Sequence, residues 1–173
     1  VKNQLYSLEE LVGPQSYLFE DGFFATIYLS PKDCHHIFSP CQGNIERMDY
    51  FPGGLFPVRE PYIRTTPNLY ARNERILITL DTPFGKVGVL LVAAINVGCM
   101  TLPFDPSLST NLLIKKGHSF SLYSPIAVEK GEKIGTFHLG STVVLLLQKQ
   151  SVQWLDSLKE NLSLKYGEKI GTL

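Results

Sequence analysis

Short apolar runs separated by glycine and proline form the main pattern along this chain. The runs are rich in β-branched and aromatic residues, which is typical of strands. Pro83-Phe84-Gly85 separates two of them and predicts a hairpin turn. The pattern therefore predicts a mainly β (α+β) fold, with antiparallel sheets packed as a sandwich or barrel-like core and a few short helices. The runs occupy residues 22–29, 45–50, 55–58, 75–80, 85–95 and 120–128.

Two segments have helical patterns instead. Residues 6–12 carry a helix start signal, because Ser7 can cap the first turn, Glu10 stands three residues on, and Gly13-Pro14 ends the pattern. Residues 151–164 carry apolar side chains at near-helical spacing, which predicts a short amphipathic helix. These side chains are Val152, Leu155, Leu158 and Leu162.

Other segments are predicted to be irregular. Residues 31–40, dense in Pro, Asp, Cys and His, indicate a loop or a short helical turn. Residues 101–118 contain prolines and a Ser/Thr cluster, and we expect a loop that borders a substrate cleft. The hexapeptide at 131–136 recurs at 167–172 although its flanks do not. The recurrence indicates two equivalent glycine-rich turns at strand starts rather than a solenoid.

Composition narrows the class of protein. With 173 residues, 44% of them hydrophobic, the chain is long enough for one well-buried core, so we expect a single domain over residues 1–173. Sixteen basic residues balance sixteen acidic ones without a basic cluster, which argues against a nucleic-acid partner. Cys34, Cys41 and Cys99 lack C-x-x-C spacing, so neither a disulfide framework nor a metal site is expected.

Nothing in the sequence predicts a membrane-spanning segment. The longest apolar stretch, 87–100, is shorter than the roughly twenty residues that a span needs, and its length favours a buried core segment. No signal peptide is visible. The aromatic side chains within 17–24 are more simply explained by a strand that feeds the core than by contact with lipid.

The stretch 131–147 carries the candidate chemistry. Gly140-Ser141-Thr142 stands between a polar segment and an uninterrupted apolar run. A Gly-Ser bond in a strained turn can rearrange, because the serine hydroxyl can attack the preceding carbonyl, and removal of the serine α-proton then breaks the chain. The new end hydrolyses to a pyruvoyl group. By itself, however, Gly-Ser-Thr is typical of an ordinary turn or strand start.

The residues around this bond resemble a known family. Leu139-Gly140-Ser141-Thr142, preceded by Lys130-Gly131-Glu132, resembles the self-processing site of the phosphatidylserine decarboxylases. Further blocks resemble the family in the family's order and extend the similarity to about residues 5–172, and we expect the family's N-terminal part to lie before Val1. These blocks are 28–33, 52–56, 68–75, 81–85 and 97–98.

The resemblance implies a reaction. The precursor would cleave itself between Gly140 and Ser141 into a larger chain, 1–140, and a smaller one, 141–173. Ser141 would become a covalent pyruvoyl cofactor, and no metal is implied. The substrate would be phosphatidylserine, whose amine reacts with the pyruvoyl ketone; this group then acts as the electron sink for decarboxylation to phosphatidylethanolamine.

The resemblance also assigns roles to histidines. The family has two histidines three residues apart, and the first corresponds to His35, our candidate for the group that returns a proton after decarboxylation. The second, tied to self-cleavage, corresponds to Phe38, which cannot act as a base. His36 is a candidate substitute, since on an extended backbone it points to the same side as Phe38. His138 stands two residues before Gly140, where an assisting role is conceivable, but a hydrogen-bonded strand residue is the expectation. We assign no role to His118.

Three functions remain open from the sequence. The first is a pyruvoyl-dependent decarboxylase that is attached peripherally to the cytoplasmic face of a membrane, although this chain alone is expected to be soluble. A homodimer that forms through edge strands is also possible for this function. The second is an uncleaved, inactive homologue that keeps the scaffold and a lipid head-group site, which Phe38 favours. The third is a carrier-like β domain, ranked last because no modifiable lysine in a tight hairpin is found.

Overall fold

The structure is a computed structural model. It describes residues 6–58, 61–95, 99–110, 118–138 and 140–173, with the side chains at 107, 109, 118–123 and 141 outside the described set. The helices are α1 (Leu8–Val12), a 3₁₀ helix (Gly13–Leu18), α2 (Tyr62–Thr65) and α3 (Leu69–Arg72). The strands are β1 (Phe23–Leu29), β2 (His36–Phe38), β3 (Gly43–Phe51), β4 (Arg75–Thr82), β5 (Gly85–Val92), β6 (Met100–Leu102), β7 (Asp105–Ser109), β8 (His118–Val128), β9 (Lys133–Phe137), β10 (Ser141–Leu147), β11 (Gln153–Trp154) and β12 (Gly171–Thr172).

Antiparallel sheets dominate the molecule, which confirms the predicted mainly β fold. A six-stranded sheet has the order β1-β10-β5-β4-β3-β8, a four-stranded sheet has the order β2-β9-β6-β7, and β11 pairs with β12. We call the first two the large and the small sheet. Neither closes into a barrel within the described residues.

The core lies against the centre of the large sheet. β4, β5 and β10 are apolar on both faces, and Ile76, Leu77, Leu90 and Leu91 are fully buried. Both faces are covered because different elements pack on them. On one face, a Cβ at Gly135 of β9 would stand 3.0 Å from Leu91 Cδ2, so the small sheet packs there. Leu77 and Leu90 face the other side, where the N-terminal segment packs.

The apolar runs at 45–50, 75–80 and 120–128 lie within strands, and the run at 22–29 forms a strand from Phe23 onward, as predicted. The run at 85–95 ends as a strand at Val92. Thr82 pairs with Gly85, which confirms the predicted hairpin around Pro83-Phe84. The run at 55–58 is not a strand: its backbone is held instead by the side chain of Asn73, which bonds both the N–H and the carbonyl of Phe56.

The predicted N-terminal helix is confirmed as α1. Ser7 Oγ accepts a hydrogen bond from the Glu10 N–H at 3.4 Å, which caps the first turn. Gly13 ends the helix with φ of +61°, a left-handed conformation that glycine adopts easily, and the chain continues as the 3₁₀ helix. Phe19, just beyond it, is buried against Gly88 of β5, so this segment covers the second face of the large sheet.

The helix predicted over 151–164 is wrong. The segment contains β11 and turns, and the Leu155 N–H donates to the Ile170 carbonyl at 3.1 Å, so the chain end pairs with itself as a ribbon. Asn161 has a positive φ of 61°, which interrupts any helix. The spacing of the leucines suggested a helix because half-buried positions in successive turns can recur at intervals close to those of a helix. Leu162, one of the residues of the pattern, is exposed.

The loop predictions need corrections as well. His36–Phe38 forms β2 within the segment taken for a loop. Residues 100–109 form the hairpin of β6 and β7, although the remainder of the expected loop, 111–117, lies outside the described residues. Pro106 is compatible with β7 because this is an edge strand, where a missing N–H is tolerated.

The recurring hexapeptide forms the same turn twice. The Glu129 N–H donates to the Glu132 carboxylate at 2.9 Å, and the Lys165 N–H donates to the Glu168 carboxylate at 2.7 Å. The glycine before each glutamate has a positive φ, 82° and 76°. Each turn precedes a strand, as the sequence indicated.

Candidate functional site

The candidate site lies at the corner where the chain passes twice between the two sheets. β1 of the large sheet leads to β2 of the small sheet, and β9 of the small sheet leads to β10 of the large one. Because β1 pairs with β10 and β2 pairs with β9, these two connections run side by side. The topology thus brings His35, on the first connection, to the same corner as the Gly140–Ser141 bond on the second.

The Gly140–Ser141 bond lies where the chain enters the buried strand β10. Ser141 begins β10 and is in register with Leu29 at the end of β1. A Cβ at Gly140 would lie 3.4 Å from the Leu29 carbonyl oxygen and 3.7 Å from Pro31 N, so this residue contacts the β1–β2 connection. Directly after Ser141 the strand is fully buried, with Thr142 at 0% exposure. One end of the bond is therefore fixed by the sheet.

A tight turn shapes the first connection. The carboxylate of Asp33 accepts a hydrogen bond from the Ser30 N–H at 2.7 Å, and the Asp33 N–H donates to the Ser30 carbonyl at 2.9 Å. Hydrogen bonds from Ser30 lower the pKa of Asp33, with a smaller contribution from the charge of His35. The carboxylate therefore stays ionised and closes the turn between β1 and His35 at neutral pH.

The ring of His35 lies at the corner without a hydrogen-bond partner among the described residues. Its Nδ1 and Nε2 are both buried, and neither has a hydrogen-bond partner within the described part of the chain. Its carbonyl accepts a hydrogen bond from the Phe137 N–H at 3.0 Å, which ties its backbone to the end of β9. Buried polar atoms are usually paired. The unpaired ring therefore fits a site where a reacting group or substrate atom completes the hydrogen bonding.

His36 and Phe38 lie on one side of β2, as predicted. Their rings meet edge to face with centroids 6.3 Å apart, although a bulge interrupts the register between Ile37 and Phe38. His36 is exposed, and its Nδ1 is 3.2 Å from Thr136 Oγ1 on β9. Phe38 contacts the ring of Tyr166 at 4.9 Å. Phe38 therefore makes an aromatic contact at this position.

The other two histidines lie elsewhere. His138 is exposed, and its Nε2 is 3.1 Å from Thr101 Oγ1, so the expected hydrogen bond is confirmed. The residue lies just after β9 and not within a strand, which corrects the second part of the expectation. His118 begins β8, and its side chain is outside the described set. Cys34 is exposed, Cys99 is half-buried and Cys41 is buried, and none of them is disulfide-bonded.

A buried polar network supports this end of the large sheet. Asn73, fully buried, donates to the Ala93 carbonyl at 2.8 Å besides holding Phe56. Tyr50 donates to Glu74 at 2.6 Å, and burial together with this carboxylate raises the pKa of Tyr50. The Arg75 guanidinium donates to four backbone carbonyls, and burial lowers its pKa to about 10. No sequence pattern revealed the structural role of these residues.

One pocket lies away from this corner. A shallow pocket of about 400 Å³ is lined by residues that include Asn44, Asp81 and Val128, which lie at the opposite end of the large sheet from Gly140. No group of three His, Cys, Asp or Glu side chains that could hold a metal occurs among the described residues. No helix in the described ranges is long and apolar enough to cross a membrane.

The expectation for the aromatic side chains at 17–24 is only partly right. Phe19 is buried, but Tyr17 is 65% exposed and Phe24 is 56% exposed. Tyr28, further along β1, is also exposed. Phe24 and Tyr28 lie on the edge strand β1 and Tyr17 lies in the 3₁₀ helix, and none of these three rings is part of the core.

Comparison with known proteins connects this geometry to a family. A family model described as phosphatidylserine decarboxylase matches residues 1–172. The chain is 39% identical over 172 residues to the phosphatidylserine decarboxylase proenzyme of Helicobacter pylori strain J99, and 38% identical over 173 residues to that of Vibrio cholerae. These alignments cover 99% and 96% of the chain. The chain spans only 63% and 61% of the length of these two relatives.

Proposed function

Because the chain belongs to the phosphatidylserine decarboxylase family, we propose that it is a pyruvoyl-dependent carboxy-lyase that cleaves itself between Gly140 and Ser141. It would then convert phosphatidylserine to phosphatidylethanolamine at the cytoplasmic surface of a membrane. The observation that carries this proposal is the corner itself, where the Gly140–Ser141 bond and the buried, unpaired ring of His35 lie on adjacent connections.

Self-cleavage follows from the chemistry of serine at this position. The Ser141 hydroxyl attacks the Gly140 carbonyl, the amide C–N bond breaks, and an ester with a free amine forms. A base then removes the Ser141 α-proton, and the bond between the Ser141 side-chain carbon and the ester oxygen breaks. Residues 1–140 then end in the Gly140 carboxylate. The resulting dehydroalanine takes up water and releases ammonia, which leaves a pyruvoyl group at the start of residues 141–173. The sheet register holds Ser141 in place during these steps.

Decarboxylation needs an electron sink and a proton donor. The pyruvoyl group supplies a carbonyl that takes up the substrate amine and accepts the electrons that carbon dioxide leaves behind. His35 supplies the proton, since one of its two ring nitrogens is protonated in either tautomer and neither is engaged by the described residues. Its partly buried position keeps this proton away from bulk water until substrate is bound.

A second candidate function rests on Phe38. If the position that corresponds to the second family histidine must carry a base, Phe38 leaves the chain uncleaved, as an inactive homologue with the scaffold and a head-group site. Its packing against Tyr166 at 4.9 Å is compatible with this reading. His36 is the residue that would restore the missing base, since it shares a side of β2 with Phe38.

The mass of the protein under denaturing conditions distinguishes the two functions. We expect two pieces, one ending at Gly140 and one that begins with a pyruvoyl group in place of Ser141, and a single chain for Ser141→Ala. The cleaved protein should release carbon dioxide from phosphatidylserine. A single species at about 19.4 kDa for the unmodified sequence would contradict self-cleavage and favour the inactive homologue.

A further inference from the structure

We propose that Asp33 is a positioning residue, whose carboxylate closes the 30–33 turn and thereby fixes both Gly140 and His35 at the corner. This inference rests on the proposed function for its effect on the reaction. The geometry that it describes stands independently, because the turn is present in the uncleaved chain.

The turn connects directly to both reacting positions. On one side, Pro31 within the turn lies 3.7 Å from a Cβ at Gly140, so the turn forms a wall against the bond to be cleaved. On the other side, the chain reaches His35 two residues after Asp33, and the His35 carbonyl is anchored by the Phe137 N–H at 3.0 Å. Between these contacts, the backbone of the turn is held by the hydrogen bonds that Asp33 makes with Ser30.

The Asp33 side chain contributes little else. It is exposed, and no ion pair to it is found within the described ranges. An exposed hydrogen bond of this kind adds only a small amount to global stability. Its removal should therefore loosen the corner without unfolding the molecule. Small displacements matter there, since misplacement of a reacting group by about 1 Å can cost on the order of 100-fold in rate.

The chain contains a matched control for this carboxylate. Glu132 closes its own exposed turn in the same way: it accepts from the N–H three residues before it at 2.9 Å, and its own N–H donates to that residue's carbonyl at 3.0 Å. This turn precedes β9 and lies at the far end of that strand from Gly140. Substitution there removes an equivalent hydrogen bond away from the corner.

The experiment compares Asp33→Ala, Asp33→Asn and Glu132→Ala in the whole chain. Hydrogen exchange of the Phe137 amide, followed by NMR, reports how firmly His35 is held, and the rate of self-cleavage, followed by intact mass, reports the position of the Gly140–Ser141 bond. For Asp33→Ala we expect faster Phe137 exchange and cleavage slowed about tenfold or more. Asp33→Asn should restore both, because the asparagine carbonyl accepts the same hydrogen bond from Ser30. Glu132→Ala should leave both unchanged.

Two results would overturn the proposal. One is Phe137 exchange in Asp33→Ala that is no faster than in Glu132→Ala. The other is Asp33→Asn as impaired as Asp33→Ala, which would mean that charge rather than turn closure matters. If the unmodified chain is never cleaved, the proposed function fails by itself, and the exchange measurement alone decides the role of Asp33.

Discussion

At the scale of single residues, Phe38 and His36 decide whether this chain can cleave itself. The resemblance to the family predicts a histidine at the position of Phe38, which contributes an aromatic contact instead. His36 lies beside it and already has one hydrogen-bond partner, Thr136. A histidine held in one orientation by a hydroxyl can use its other ring nitrogen as a base. The hypothesis that His36 substitutes for the missing histidine is therefore compatible with the local geometry.

Substitution of His36 tests this hypothesis. If His36 is the base, His36→Ala should slow self-cleavage by about 100-fold or more, the typical contribution of a general base. The measurement is the fraction of cleaved chain against time by intact mass. His138→Ala is the matched control, because His138 is also exposed and bonded to a threonine hydroxyl, at 3.1 Å. An unchanged rate of self-cleavage in His36→Ala would rule out His36 as the base.

The sequence identified some residues of the site and missed others for a physical reason. Gly140, Ser141 and His35 were found through motifs that resemble a family, but their proximity depends on the pairing of β1 with β10 and β2 with β9. A pattern along the sequence does not show which strands pair or in which register. The turn closed by Asp33 was also missed, since a single side-chain hydrogen bond has no periodic signal.

At the scale of elements, the apolar runs predicted the strands well because the buried strands are short and rich in β-branched residues. The failures share a cause. The segments 151–164 and 101–110 are held by pairing with more distant parts of the chain, such as Leu155 with Ile170 and Thr101 with Thr136. Where long-range partners decide the conformation, local spacing of leucines or prolines is a weak guide.

The position of β10 predicts what happens after cleavage. β10 lies between β1 and β5, paired along its length with both, and Val143 to Leu147 are buried. Exposure of these side chains would cost about 1.5–3 kcal/mol each. Residues 141–173 should therefore remain bound to residues 1–140 after the bond breaks.

Gel filtration in native buffer checks this expectation. Both pieces should elute together at the volume of uncleaved Ser141→Ala, and they should separate only when denaturant is added. Elution of residues 141–173 as a separate peak in native buffer would show that the sheet does not hold β10 once the chain is cut.

At the scale of the whole molecule, charge and exposed side chains constrain how a membrane could be approached. The sixteen basic and sixteen acidic residues give no net charge to attract an anionic surface. We expect any membrane contact to be made by exposed aromatic side chains. Tyr28 is the best placed of them, since it is 52% exposed and pairs with Thr142, which follows Gly140 and Ser141 in the chain.

Tyr28 and Phe84 therefore make a pair that tests membrane contact at the site. Both are exposed, at 52% and 54%, but Phe84 lies at the tip of the β4–β5 hairpin, at the opposite end of the large sheet from Gly140. If the corner faces the lipid, Tyr28→Ser should weaken sedimentation with phosphatidylserine vesicles about tenfold, which corresponds to about 1.4 kcal/mol, whereas Phe84→Ser should have no effect. Because apolar contact is barely screened by ions, binding of the unmodified chain should change little with salt. Equal weakening by both substitutions, or loss of binding as salt is raised, would contradict an approach through this corner.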